Sequence, residues 1–171
     1  MVKEIIKKEY KTGKNKESKN KESENLSHSL EDYLEAIFII NIDKKVVRVK
    51  ELAEFLKVKT PSVVDAVSKL EKKGLVNHEK YGYLSLSKEG NDIAKNIYNK
   101  HGYIYEFLNG FLGVDNTSSE EDACGIEHHI SKQSLEKLIK LMDFVKNNHE
   151  IYLEFLEKYN QYINNKKNKH I

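Results

Sequence analysis

Hydrophobic positions recur at helical spacing along most of the chain and give way to short strands only once, near the middle. Leu30, Tyr33, Leu34, Ile37 and Phe38 share one face of a 3.6-residue period, and Ser29 stands where it would cap that helix. A second helix is predicted over residues 49–57, with Leu52, Ala53, Phe55 and Leu56 turned inward. A third begins at Thr60 as cap with Pro61 at the first helical position. It buries Val63, Val67 and Leu70 and is closed by Gly74. The run LVNHEKYGYLSLS then reads as two short strands around a turn at Tyr81-Gly82, and Ser87 caps a longer helix carrying Ile93, Ala94 and Ile97.

The second half is helical throughout. A stretch from His101 to Leu112 continues or restarts after Gly102. Ser118 and Glu121 form a capping-box pair for a helix to about His129, and Ser131 opens the next, with Leu135, Leu138, Ile139 and Met142 on one side. A last helix carries Ile151, Phe155, Leu156 and Tyr159. Helix, helix, short connection, helix, hairpin, helix is the order of a winged helix-turn-helix. The expected fold class is therefore mainly α, an N-terminal winged helix-turn-helix domain followed by an all-helical domain. The expected boundaries are a disordered or weakly helical basic extension at 1–25, a winged-helix domain at 26–98, a helical domain at 99–163 and a solvated tail at 164–171.

Composition narrows the class. The 171 residues hold 29 basic and 27 acidic side chains, and a single Cys excludes a disulfide framework. No stretch approaches the roughly 18 apolar residues of a membrane span, and the N-terminus lacks the apolar core of a signal peptide. A reducing cytoplasm is the expected setting. Charge is divided between the halves: roughly +6 over residues 44–100 and roughly −5 over residues 101–150. The first half would attract phosphates and the second cations.

Candidate chemistry concentrates in SSEEDACGIEHHIS. Cys124, Glu127 and His128 stand at i, i+3 and i+4, so thiolate, carboxylate and imidazole project from one helical face. The trio suits a first-row transition metal without choosing among iron, manganese, zinc and cobalt. Taken alone it reads as readily as a small buried thiol, a solvated acid and a surface histidine. Asp32 and Glu35 lie three apart beside the apolar stripe of the first helix, and His101 stands in NKHGY; each is ordinary by itself.

The segments SLEDYLEAIF, VRVKELAEFLKVKTPSVVDAVSKLEKKGLVNHEKYGYLSLSKEG, NKHGYIYEFLNGFLGVD and EEDACGIEHHIS, in that order, resemble the diphtheria-toxin-repressor-like family of metal-dependent transcription repressors, from about Ser27 to about Val145. The likeness is to the short manganese-transport-regulator subtype without an SH3-like third domain. It implies a metal-binding and dimerisation role for the helical domain, with Asp32, Glu35, His101, Cys124, Glu127 and His128 as ligands. It also implies Mn²⁺ or Fe²⁺ as cofactor, Co²⁺ and Zn²⁺ serving in vitro. The set is a hybrid. The manganese type has Glu where Cys124 stands, and the iron type has Met where Asp32 stands. Tyr105 occupies a position where the family often has Glu, with Glu106 next, which bears on a second, ancillary metal site. His129 reads as a surface residue.

The resemblance further implies a homodimer on double-stranded DNA at a palindromic operator, repressing metal-uptake genes when metal is replete, with no membrane partner. Thr60 and Ser62, flanking Pro61, would donate to phosphates. Val64 and Asp65 would face the groove, and Lys59, Lys69, Lys80 and Tyr81 would reach the DNA backbone. Phe107, Leu108, Phe111, Leu112, Leu135 and Leu138 supply either a dimer interface or intramolecular core. Three rival readings are a winged-helix regulator sensing oxidants or small ligands through Cys124, a metalloenzyme using the Cys/Glu/His cluster, and a DNA-bending or protein-binding module. The metalloenzyme lacks an H-E-x-x-H spacing, a nucleophile elbow or a phosphate-cradling glycine loop, so an enzyme is not expected.

Overall fold

The structure, a computed structural model, describes residues 26–44, 46–79 and 82–167. The readings of residues 1–25, of Lys80 and Tyr81 and of the last four residues lie outside the described residues. Helix α1 spans His28–Asp43, strand β1 Val47–Arg48, α2 Val49–Phe55, α3 Thr60–Lys72, β2 Val76–His78, β3 Tyr83–Leu86 and α4 Lys88–Tyr105. A π-helical segment, Glu106–Phe111, extends α4 without a break at Gly102. Then come α5 Asn116–Glu127, α6 Lys132–Asn147 and α7 His149–Lys167. Helix α7 therefore continues into the stretch read from sequence as a tail.

The first half closes around α1. Tyr33, Leu34, Ala36, Ile37 and Ile40 on one face of α1 meet Leu52 of α2, Val63, Val67 and Leu70 of α3, and Ile93, Ala94 and Ile97 of α4 in one buried cluster. Each fully buried Leu or Ile contributes roughly 1.5–3 kcal/mol relative to exposure. This core is what holds α3 at a defined angle to α1. The turn between α2 and α3 is made by Lys57, whose φ of 56° ends α2 at Phe55, two residues earlier than its pattern suggests. Phe55 is exposed rather than inward, because two turns of helix turn Leu52 and Ala53 to the core and leave Phe55 on the far side.

The sheet is antiparallel in the order β1-β3-β2, with Val47 opposite Leu84 and Val76 opposite Leu86. Gly82, at φ 76°, turns the hairpin. Ser87 caps α4 as expected, its Oγ accepting from the Gly90 backbone N–H at 3.0 Å. Three caps differ from expectation. Ser27, not Ser29, precedes α1. Thr60 is the first helical residue of α3, with Lys59 at the cap. Asp115 caps α5, accepting from the Ser118 N–H at 3.0 Å.

The second half buries less. Met142 is the buried residue of α6. An aromatic ladder runs from Phe107 to Phe111 to Phe155 to Tyr159, with centroids 5.7, 5.0 and 5.6 Å apart, joining the π segment to α7. Leu141, Phe144, Ile151, Leu153 and Tyr162 remain exposed on α6 and α7. Among the described residues no helix is long and apolar enough to cross a membrane.

Candidate metal centre and nucleic-acid interface

Helix α1 packs on α4, and α4 on α5, so the polar edge of α1 meets the C-terminal end of α5. There the six residues singled out from sequence converge as two groups rather than one. Asp32, Cys124, Glu127 and His128 each offer a ligand atom within 4.8 Å of the others; Glu35, His101 and Glu127 do the same. The spacing that puts Asp32 and Glu35 on one face of α1 thus divides them between two clusters. Glu127 belongs to both.

Glu127 is 1% exposed. Its Oε2 lies 3.0 Å from His101 Nδ1, and its Oε1 is 3.5 Å from His128 Nε2. That Oε1 is buried without a hydrogen-bond partner among the described residues. An orphaned, buried carboxylate oxygen is costly unless something positive meets it.

The electrostatics are those of a site short of positive charge. Burial, reinforced by Glu127 and Asp32, pushes the Glu35 carboxyl up to about 7 against the opposing pull of His101 and His128. Burial opposes the charging of both histidines, yet carboxylates outweigh it. Glu127, Glu35 and Glu120 raise His101, and Glu31, Glu127 and Asp32 raise His128. Burial and the same carboxylates hold the Cys124 thiol above its ordinary value. The donor set therefore fits a divalent cation: carboxylates, imidazoles and a thiol, one buried carboxylate oxygen lacking a hydrogen bond among the described residues, gathered where burial and neighbouring carboxylates disfavour ionisation of Glu35 and Cys124.

Three residues that sequence reasoning passed over join this site. Glu31 Oε2 lies 2.7 Å from His128 Nδ1, and Glu120 Oε1 3.3 Å from His101 Nε2. His28 stacks on His128 with centroids 5.0 Å apart and rings 11° from parallel. His129 meets the edge of His28 at the surface. Glu31 had one legible signal, its i, i+4 relation to Glu35. Tyr105 turns to Asn116, whose Oδ1 accepts its hydroxyl at 3.2 Å, away from both clusters.

In the first half, α3 buries Val63, Ala66, Val67 and Leu70 and presents Thr60, Pro61, Ser62, Val64, Asp65 and Lys69 to solvent, with Lys59 exposed at its entry. Val64 is 49% exposed. Lys69 Nζ is 2.7 Å from Asp65 Oδ2. At the wing, Arg48 lies over the Tyr83 ring and donates to its hydroxyl at 2.9 Å, a cationic group the hairpin pattern did not point out.

Residues 25–84 match the family described as iron dependent repressor, N-terminal DNA binding domain, and residues 87–159 match its metal binding and dimerisation domain. An HTH-type transcriptional regulator of Methanocaldococcus jannaschii is 39% identical over 119 residues, covering 69% of this chain and 95% of that protein.

The chain belongs to the iron-dependent repressor family.

That family comprises metal-dependent transcriptional repressors. Its first domain binds DNA and its second binds metal and dimerises. The HTH-type transcriptional regulator MntR of Bacillus subtilis is 36% identical over 116 residues, covering 68% of this chain and 81% of that protein. Among solved structures, the manganese regulator SloR superposes with a TM-score of 0.61 at 31% identity over 67% of this chain. A manganese-dependent transcriptional repressor in complex with manganese gives 0.62 at 26% identity, again over 67%. The chain spans about half the length of those two proteins, 54% and 53%. It is similar to both across the fold that carries the two clusters.

Proposed function

We propose that this repressor senses Mn²⁺ or Fe²⁺ through Asp32, Glu35, His101, Cys124, Glu127 and His128, and that the loaded homodimer binds a palindromic operator in the cytoplasm to repress metal-homeostasis genes. The reading assigns residues 26–98 to DNA and 99–163 to sensing and pairing. Its strongest support is that Glu127, with a buried oxygen that makes no hydrogen bond among the described residues, lies in both donor clusters, while α1 of the DNA-binding half contributes a carboxylate to each. The names of MntR, SloR and the manganese-bound neighbour agree with manganese. Cys124 adds a softer donor, which favours Fe²⁺, Co²⁺ and Zn²⁺ relative to an all-oxygen and nitrogen set.

A bound divalent cation supplies the positive charge that lets these acids ionise together. Asp32 and Glu35 then remain beside Cys124, Glu127, His101 and His128 instead of repelling them, and α1 is held against α5. Because Leu34 and Ile37 of α1 share a core with Val63, Val67 and Leu70 of α3, fixing α1 fixes the DNA-reading helix. In a dimer two such helices would enter successive major grooves. Thr60, Pro61 and Ser62 would lie at phosphates and Val64 and Asp65 at base edges, with Lys59, Lys69, Lys80 and Tyr81 along the backbone. Coupling between metal and DNA is reciprocal and typically about 1–3 kcal/mol.

The test is binding of the full chain to its own upstream DNA by fluorescence anisotropy, titrated with Mn²⁺, Fe²⁺, Co²⁺ and Zn²⁺. Binding should tighten roughly 5–150-fold with the cognate metal and return to the basal level in EDTA. DNA affinity indifferent to chelator would reject the reading.

A further inference from the structure

The two nitrogens of His128 face different chemistry. Nε2 points into the donor cluster, 3.0 Å from Asp32 Oδ1 and 3.5 Å from Glu127 Oε1. Nδ1 points the other way, 2.7 Å from Glu31 Oε2. The contact is sheltered: the side chains of His128 and Glu31 are 7% and 13% exposed. His28 covers one face of the ring. Both Glu31 and His28 belong to α1, whereas His128 ends α5, nearly a hundred residues later.

We propose that Glu31 is a positioning residue of the metal centre: its carboxylate accepts the Nδ1–H of His128, leaves the Nε2 lone pair aimed at the cation, and thereby clips the sensing helix to the DNA-binding half. A neutral imidazole has one donor and one acceptor nitrogen, and the partner of one decides the state of the other. Histidines that bind metals commonly donate their second N–H to a carboxylate, which fixes the ring and makes the ligating nitrogen more basic. Glu31 is suited to that role and not to direct ligation, because the imidazole stands between it and the donor cluster. His101 has a similar two-sided setting, Glu127 at Nδ1 and Glu120 at Nε2, but there both carboxylates come from the helical half. Of Glu31, Glu120 and Glu127, Glu31 is the one that comes from the DNA-binding half.

This inference rests on the metal-sensing reading, and the test separates the two. Mn²⁺ and Co²⁺ affinities of the full chain are measured by calorimetry and by competition with a chromophoric chelator, and the Co²⁺ absorption spectrum is recorded, for wild type, Glu31→Leu, Glu31→Gln and the remote surface variant Glu54→Gln. Circular dichroism of the metal-free proteins confirms folding, and the near-isosteric Gln variant keeps the test valid should Leu disturb α1. Glu31→Leu should weaken metal binding about 10–100-fold and change the cobalt spectrum. Glu31→Gln, which still offers an oxygen to Nδ1–H, should recover most of that loss, and Glu54→Gln should match wild type. Unchanged or tighter binding by Glu31→Leu would overturn the inference, the latter because Glu31 would then merely stabilise a protonated His128 that competes with metal. A Gln variant as weak as Leu would also overturn it, since charge and not positioning would be at work. Failure of wild type to bind any of these ions would instead reject the metal-sensing reading itself.

Discussion

Glu35 offers a thermodynamic handle on the charge balance of the proposed metal centre. Its carboxyl is pushed from 4.5 to about 7, chiefly by burial and secondly by Glu127. In the unfolded chain it titrates near the ordinary value. A folded-state value raised above the unfolded one contributes stability that is fully present below about 4.5 and lost as pH rises through about 7. The shift corresponds to about 3 kcal/mol at roughly 1.4 kcal/mol per pH unit, an upper limit for a side chain that is not wholly enclosed. Glu35→Gln removes this titration while keeping the shape. Urea unfolding of metal-free protein in EDTA, from about pH 4 to about pH 8, should show the variant gaining on wild type by up to about 3 kcal/mol across the range. Excess Mn²⁺ at the upper pH should reverse the order, since wild type gains by mass action and the variant has lost a ligand. A stability difference that stays constant with pH would refute the reasoning, as would equal stabilisation of both proteins by metal.

Other outcomes follow from single contacts. A Cβ at Gly90 would lie 2.0 Å from the Leu75 carbonyl oxygen, so Gly90→Ala must push α4 from the start of β2. Thermal melting should fall by several degrees, matching an overpacking cost of about 1–3 kcal/mol. Cys124→Ser should weaken Co²⁺ and Zn²⁺ more than Mn²⁺ and abolish the sulfur-to-cobalt charge-transfer absorption; retention of that band would mean the thiolate is not a ligand. Phe144→Glu or Ile151→Lys, at positions 54% and 48% exposed, should shift light scattering towards monomer with secondary structure intact; an unchanged dimer would place the interface elsewhere.

The fold was largely legible because local signals agreed with one another. Pro61, Gly74 and Ser87 bound their helices, and the buried faces of α1, α3 and α4 follow the predicted period. What escaped depends on contacts distant in sequence. Strand β1 is two residues long and exists only because Val47 and Arg48 pair with β3. Lys57 in a left-handed conformation carries no glycine signal, and the π segment after α4 has none either. At the proposed metal centre, the i, i+3, i+4 spacing was enough to bring Cys124, Glu127 and His128 together. It could not tell that Asp32 and Glu35 join different clusters, nor that Glu31 reaches His128, because those facts depend on how α1 lies across α5. Helical period also cannot separate core from interface. Leu135 and Leu138 are half-buried within the chain, while Leu141 on the same helix is exposed.

The account stands on a cation held in common by α1 and α5. Anomalous diffraction from crystals of the Mn²⁺-loaded protein, collected on both sides of the manganese edge, addresses that most directly. The expected result is a difference peak within bonding distance of Glu127 that also touches Asp32 or Glu35 from α1 and Cys124, His128 or His101 from the helical half. A peak ligated by the helical half alone, with both α1 carboxylates turned away, would contradict it.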